Sequence, residues 1–300
     1  MGPTHTVYIS AHFVPERISF LSTVLDAVLG WPGCRANVNL VTNSEALQEH
    51  ETVRGFERRF DDAGSSLRHV IARDLDHPFH LTWHHKRFLQ GWRQSAGEGD
   101  LFIYLEDDTV LPADGIRYFQ KYRPVLQPFG LIPSYIRFER VGGGAPVCVD
   151  LVEPEFYGHR NSVRVGDAIA HVCRNPYWAG FILDRELAEE YSGSRSFDID
   201  ASRFVQWDVR ARAAMGLSFE ATPAGFRARH AVVLDRGQPV PGALIWHCAN
   251  TYAGVAGSRY GRLALSDAFV TGSALAFQVD RVRARLTRSA LFARAKSPST

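Results

Sequence analysis

The chain has 300 residues, 45% of them hydrophobic and 22% charged, with a formal net charge of +2; this suits one large α/β domain or two small ones and excludes a general nucleic-acid binder. No apolar run approaches the length of a membrane span, and the N-terminus lacks a signal-peptide pattern. Cys34, Cys148, Cys173 and Cys248 are scattered and form no CxxC pair, so neither a disulfide framework nor a structural zinc site is expected, and a reducing cytoplasm is the expected compartment.

Residues 6–10 read as a first strand. Ile18, Leu21, Leu25, Val28 and Leu29 recur at helical spacing and predict a helix over 18–29, stopped by Trp31-Pro32-Gly33. A second strand follows at 38–42, a polar helix at 46–60 and a third strand at 69–73. A helix is predicted over 82–94 with Thr82 as its N-cap. Residues 101–105 form a short apolar run that leads straight into Glu106, Asp107 and Asp108. Such a run marks a strand buried on both faces. The β-α-β-α-β-α-β series implies a parallel sheet with right-handed crossovers, hence the α/β class. The second half is less regular. It reads as a strand-pair region at 131–141, a polar loop-rich stretch at 153–166 and a short strand at 179–183. Helices at 185–191 and 206–215 follow, then a strand at 243–247 ending in His247. A basic helical pattern covers 276–296.

Side chains alternate along a strand, so Glu106 and Asp108 are expected on one side of the strand end and Asp107 on the other. Three carboxylates together repel, and a hard divalent cation with oxygen ligands would relieve that repulsion. The carboxyl end of a parallel strand is also where open α/β sheets bind ligands. An acidic turn that merely closes the strand is the competing reading. Lys86, one turn into the preceding helix, would reach a phosphate held over such a metal, or else lie on a solvated basic face. His80 and His84 stand four apart, as in a zinc helix, but with no third ligand nearby aromatic packing or substrate contact is the stronger reading.

The β-α series, the basic helix and Leu105-Glu-Asp-Asp-Thr-Val-Leu-Pro112 together resemble the nucleotide-sugar glycosyltransferases of the GT-A fold, family 2-like. The resemblance spans roughly residues 5–250. In that family an acidic DxD motif ends the fourth strand and holds a metal on the sugar-nucleotide diphosphate; Glu106-x-Asp108 stands in its place, with Glu in the first position. The resemblance implies a Rossmann-like, mostly parallel sheet flanked by helices in a single domain. Its nucleotide-binding half would cover about 1–112 and its acceptor half about 113–260, before a basic helical extension over 261–300.

Residues 175–185 are similar to the segment these enzymes place under the acceptor and donor sugar. The small Ala179-Gly180 pair lets a backbone approach a ligand, and Tyr177 and Trp178 would cover a sugar face; a buried strand with core aromatics is the alternative. Asp208 stands where the family keeps its reactive acid, with Trp207 replacing the usual preceding acid. Helix capping alone would also account for Asp208. The resemblance makes His247 a third metal ligand beside Glu106 and Asp108, and Arg259, in a glycine-rich stretch, a diphosphate clamp. It places the nucleotide at His12, Arg17, Asn43 and Asp74, with Asp107 beside the metal.

The implied activity is metal-dependent transfer, with Mn²⁺ or Mg²⁺, of a sugar from a nucleotide-diphosphate sugar, UDP by family habit, to a hydroxyl. The acceptor would be a glycan, a lipid-linked saccharide or a small metabolite. Asp208 would be the general base, with inversion favoured over retention. A metal-dependent nuclease or phosphohydrolase and a non-catalytic nucleotide-sugar-binding module remain open. The basic tail is expected either to pack on the domain or to make peripheral contact with the inner face of a membrane.

Overall fold

The computed structural model describes residues 2–73, 75–140, 142–158 and 160–271; Asp74 and the expected basic helix over 276–296 lie outside them. Within the first 106 residues the chain alternates strands and helices: β1 (Thr4–Ala11), α1 (Ile18–Leu29), β2 (Arg35–Thr42), α2 (Glu51–Asp62), β3 (Ser66–Ile71), α3 (His85–Ser95) and β4 (Phe102–Glu106). These four strands are parallel, with β1 between β2 and β4 and β3 outside β2. Val7, Tyr8 and Ile9 of β1 and Phe102 to Leu105 of β4 have no exposed surface, as strands covered on both faces require. The covering helices are amphipathic: α1 buries Leu21, Val24, Leu25 and Val28, and α2 buries Val53, Phe56 and Phe60.

After α4 (Ala113–Leu126) come β5 (Ile136–Glu139), β6 (Gly180–Leu183), α5 (Arg185–Ser192), α6 (Val209–Ala213) and β7 (Leu244–His247). β6 completes the central sheet by pairing antiparallel with β4, so the acidic strand sits between β1 and β6. β7 pairs parallel with β5 and antiparallel with Thr109–Val110, which sets His247 opposite Thr109. A further sheet of Ser162–Val165, Ala168–His171, His230–Asp235 and Gln238–Pro239 flanks these. The architecture is mixed α/β with a mostly parallel Rossmann-like sheet between helices, the class the strand–helix alternation predicts.

Several local expectations are corrected. The polar helix at 46–60 is interrupted at His50, whose backbone is extended (φ −67°, ψ 125°). The helix expected from Thr82 begins with a 3₁₀ turn, Pro78–His84, capped by His77, whose Nδ1 accepts from the Phe79 N–H at 3.1 Å. Thr82 lies inside that turn and donates to the Phe79 carbonyl. His80 and His84 share the turn, so helical i, i+4 geometry does not apply to them. The stretch at 153–166, expected as loop, contains strands Glu155–Tyr157 and Ser162–Val165; at three and four residues they are too short for a periodic signal to stand out from the polar surroundings. The helix expected over 206–215 is the single turn of α6. Beyond the boundary expected at 260, Leu263–Ala264 pairs with Val147–Cys148 and Phe269–Thr271 with Glu155–Tyr157, so paired strand continues to Thr271. Among the described residues no helix is long and apolar enough to cross a membrane.

Candidate functional site

A cavity of about 620 Å³ opens at the carboxyl ends of β1 and β4. Ser10, His12, Arg17, Glu106, Asp107 and Asp108 form its floor. The 3₁₀ turn contributes Pro78 and Phe79, β5 contributes Arg137, and Tyr177, Trp207, Asp208 and Arg210 form another wall. His247, Thr251, Tyr252 and Tyr260 also line it, as does the Asp150 carboxylate.

The acids do not follow strand alternation past Glu106, because β4 ends there and the chain turns through Asp107 and Asp108. Asp107 therefore joins Asp108 instead of facing away. Both accept from Arg17: Nε is 3.0 Å from Asp107 Oδ2, and Nη2 reaches Asp107 Oδ1 and, at 2.7 Å, Asp108 Oδ2. Burial pushes the Asp107 carboxyl up in pKa, against the pull of Arg17. Burial acts the same way on Asp108, but His247 and Arg17 outweigh it and hold that carboxyl low. Glu106 is pushed up by burial and by the Asp108 charge, and its Oε1 accepts from the Tyr177 hydroxyl at 3.1 Å.

His247 reaches this turn through strand register. The Cys248 N–H donates to the Asp108 carbonyl at 2.9 Å, and His247 Nε2 lies 3.3 Å from Asp108 Oδ2. The other ring nitrogen, Nδ1, is 2.5 Å from Glu139 Oε1. A metal-ligating histidine characteristically gives its second N–H to a carboxylate, which aims the remaining nitrogen at the metal. Asp108 and His247 thus fit a cation held by one carboxylate and one imidazole, a donor pair that suits Mn²⁺, with phosphate and water oxygens filling the other positions. Glu106 is not drawn into that pair. Among the described residues no group of three or more His, Cys, Asp or Glu side chains is assembled as a ligand set.

Of the other residues singled out by sequence, His12, Arg17, Asp107, Tyr177, Trp207 and Asp208 line the cavity, whereas Asn43 is exposed outside its lining. Lys86 also lies outside it: its ammonium sits over the Trp83 ring at 4.6 Å and the Phe197 ring at 5.2 Å, an aromatic seat that a long aliphatic stem reaches readily. Arg259 is exposed and bonds the Tyr260 hydroxyl at 2.8 Å; Tyr260, not Arg259, faces the cavity. Trp178 is core, 1% exposed and packed on Tyr135. The smallness of Gly180 serves that packing, since a Cβ there would meet the Trp178 ring at 2.4 Å and the Tyr104 carbonyl at 2.7 Å. Ala179, also buried, holds a positive φ of 60° that turns the chain into β6. Asp208 caps α6 by accepting from the Ala211 N–H at 2.9 Å while lining the cavity.

Sequence reasoning missed Arg137, Glu139 and Arg210. Arg137 and Glu139 are charges at i, i+2 inside a strand with an apolar start, on one face and both buried; buried charge within a strand was the available signal. Arg137 is held by Asp150 through two bonds of 2.9 Å. Arg210 stacks its guanidinium over Phe79 at 5.3 Å and, among the described residues, has no carboxylate ion pair. It is the cavity cation most available to an incoming anion.

No protein-family model matches the chain, and no curated protein sequence matches it. Among solved structures, residues 1–349 of TarS from S. aureus match with 10% identity and a TM-score of 0.39, over 71% of this chain and 56% of that one. Glucosyl-3-phosphoglycerate synthase from Mycobacterium tuberculosis, in complex with phosphoglyceric acid, matches with 17% identity and a TM-score of 0.28, over 47% of this chain and 46% of that one. The chain spans about half the length of each. Likeness at this level assigns no activity, and the α/β class rests on the strand order above.

Proposed function

We propose that this chain transfers a sugar from a nucleotide-diphosphate sugar, UDP-linked by the sequence resemblance, to a hydroxyl acceptor on a glycan, a lipid-linked saccharide or a small molecule. The observation that carries this reading is the junction of Asp108 and His247, 3.3 Å apart at the carboxyl end of β4, inside a cavity that also holds three arginines and several aromatic rings. Asp108 and His247 would hold Mn²⁺ or Mg²⁺, which when bound supplies Lewis-acid stabilisation of the departing nucleotide diphosphate. Arg210 adds a planar fork suited to phosphate oxygens. Tyr177 and Trp207, packed edge to face at 5.4 Å, offer apolar surface to a sugar ring and exclude water beside it. Asp208, at the same wall, takes the proton from the acceptor hydroxyl, the role an inverting reaction requires.

The test is calorimetric binding of UDP-, GDP- and TDP-sugars with and without Mn²⁺, on the full chain and on Asp108→Asn. One sugar nucleotide should bind in a Mn²⁺-dependent way and lose that dependence in the variant. Metal-dependent phosphoester cleavage without any sugar-nucleotide binding would replace this reading with a phosphohydrolase.

A further inference from the structure

Glu139 ends β5 with no exposed surface, and its carboxylate is surrounded by donors. Oε1 faces His247 Nδ1 at 2.5 Å and accepts from the Thr251 N–H at 3.0 Å. Oε2 accepts from the Tyr252 N–H at 3.0 Å and the Ala253 N–H at 2.5 Å. An ionised carboxylate is acceptor-only and offers about four lone-pair sites; here four N–H groups converge on them. Two of the cavity-lining residues, Thr251 and Tyr252, belong to the turn so held. The same turn is pinned from its other side, where the Arg140 N–H donates to Asn250 Oδ1 at 3.1 Å.

We propose that Glu139 is the positioning residue of this site: one buried carboxylate aims His247 Nε2 at the cation position beside Asp108 and fixes the 251–253 turn that walls the cavity. The inference rests on the metal reading above and goes beyond it by joining ligand and wall in one acceptor. Gln brings an NH₂ group that faces either His247 and Thr251 or Tyr252 and Ala253, donor against donor. Asp keeps the charge and falls one methylene short.

Mn²⁺ alone is titrated into the full chain and into Glu139→Gln, Glu139→Asp and His247→Ala, following free Mn²⁺ by electron paramagnetic resonance. Amide hydrogen exchange at 251–253 is measured on the same samples. Glu139→Gln should weaken Mn²⁺ binding 10- to 100-fold, the usual loss for a residue that orients a ligand, and should speed exchange at 251–253. Glu139→Asp should recover part of both. His247→Ala should lose Mn²⁺ binding yet keep the turn protected, because Glu139 still holds it. In the wild-type chain loaded with Cd²⁺, the ¹⁵N spectrum of His247 should show Nδ1 protonated and Nε2 on the metal, a readout that needs no variant to fold. Wild-type Mn²⁺ affinity with unchanged exchange in Glu139→Gln, or metal on Nδ1, overturns the inference. Absence of Mn²⁺ binding in the wild type itself overturns the metal reading and this inference together.

Discussion

Two buried histidines should each cost this chain stability in mild acid. His85, at the start of α3, has no exposed surface, and both ring nitrogens are committed: Nδ1 lies 2.9 Å from the Thr82 carbonyl and Nε2 2.9 Å from the Tyr191 hydroxyl. A carbonyl only accepts, so Nδ1 carries the proton and Nε2 accepts from the tyrosine. Burial, opposed by the Thr82 carbonyl and aided by Lys86 and His84, pushes His85 down to about 3. Burial, aided by Arg229, pushes His230 down to about 3 as well. In the unfolded chain each titrates near 6.5. Between these values the unfolded state binds more protons, so stability rises with pH and is lost as pH falls through this window. At pH 5, relative to pH 8, each histidine removes about 2 kcal/mol, and the two together about 4 kcal/mol. That is a large fraction of the ~5–15 kcal/mol that holds a typical domain together. Glu106 and Asp107, pushed up by burial to about 7 and about 6, bind protons in the folded state and oppose this loss, so urea unfolding of His230→Gln against the wild type at pH 8, 6 and 5 isolates the histidine contribution, of which the variant should remove about half. If His230→Gln and the wild type lose stability in parallel between pH 7 and 5, the burial argument fails. It fails equally if the two imidazoles titrate near 6.5 in the folded protein by NMR.

Asp208→Asn keeps an acceptor for the Ala211 N–H but has no base, so turnover should fall by at least ~10²-fold with donor affinity little changed; Asp208→Ala should also lose about 1 kcal/mol of capping, seen as a lower Tm. Near-normal turnover in the Asn variant removes Asp208 from the chemistry. Arg210→Gln should weaken sugar-nucleotide binding by about tenfold or more, as expected for a charge-assisted bond of roughly 1.5–3 kcal/mol. Lys86→Met should lower thermal stability by the roughly 0.5–2 kcal/mol of a cation–π seat and leave that affinity unchanged; the reverse pattern in calorimetry would return Lys86 to the cavity.

The parallel half of the fold is legible because its strands and helices carry strong periods: α1 runs from Ile18 to Leu29 as its apolar spacing predicts. The acidic end of β4 is legible for the same reason, since an apolar run that collides with three acids has few structural uses. The antiparallel pairing of β6 with β4 is not, because Gly180–Leu183 is too short to declare a direction. Proximity in sequence is a weak guide to which cations reach the cavity. Lys86 precedes the acidic strand closely but turns to Trp83 and Phe197, while Arg17 and Arg210, from opposite halves of the sequence, line the same cavity. Trp178 and Gly180 form a motif whose small and large members fit each other, a packing relation that looks in sequence like room for a ligand.

Asp108 and the Cys248 thiol that touches its carbonyl stand 140 residues apart in the chain. Closing a loop of that length carries an entropic cost of roughly 4 kcal/mol beyond a constant, and a fold that depends on such distant pairings forms more slowly. Arg17, only 90 residues from Asp107, belongs to the part of the chain that emerges first. The Arg17 ion pairs lie wholly within the first 108 residues, whereas His247 reaches Asp108 only through the pairing of β7 with Thr109–Val110. Under the metal reading proposed above, a chain lacking β7 would keep the Arg17 ion pairs and lose the His247 side chain that would share the cation.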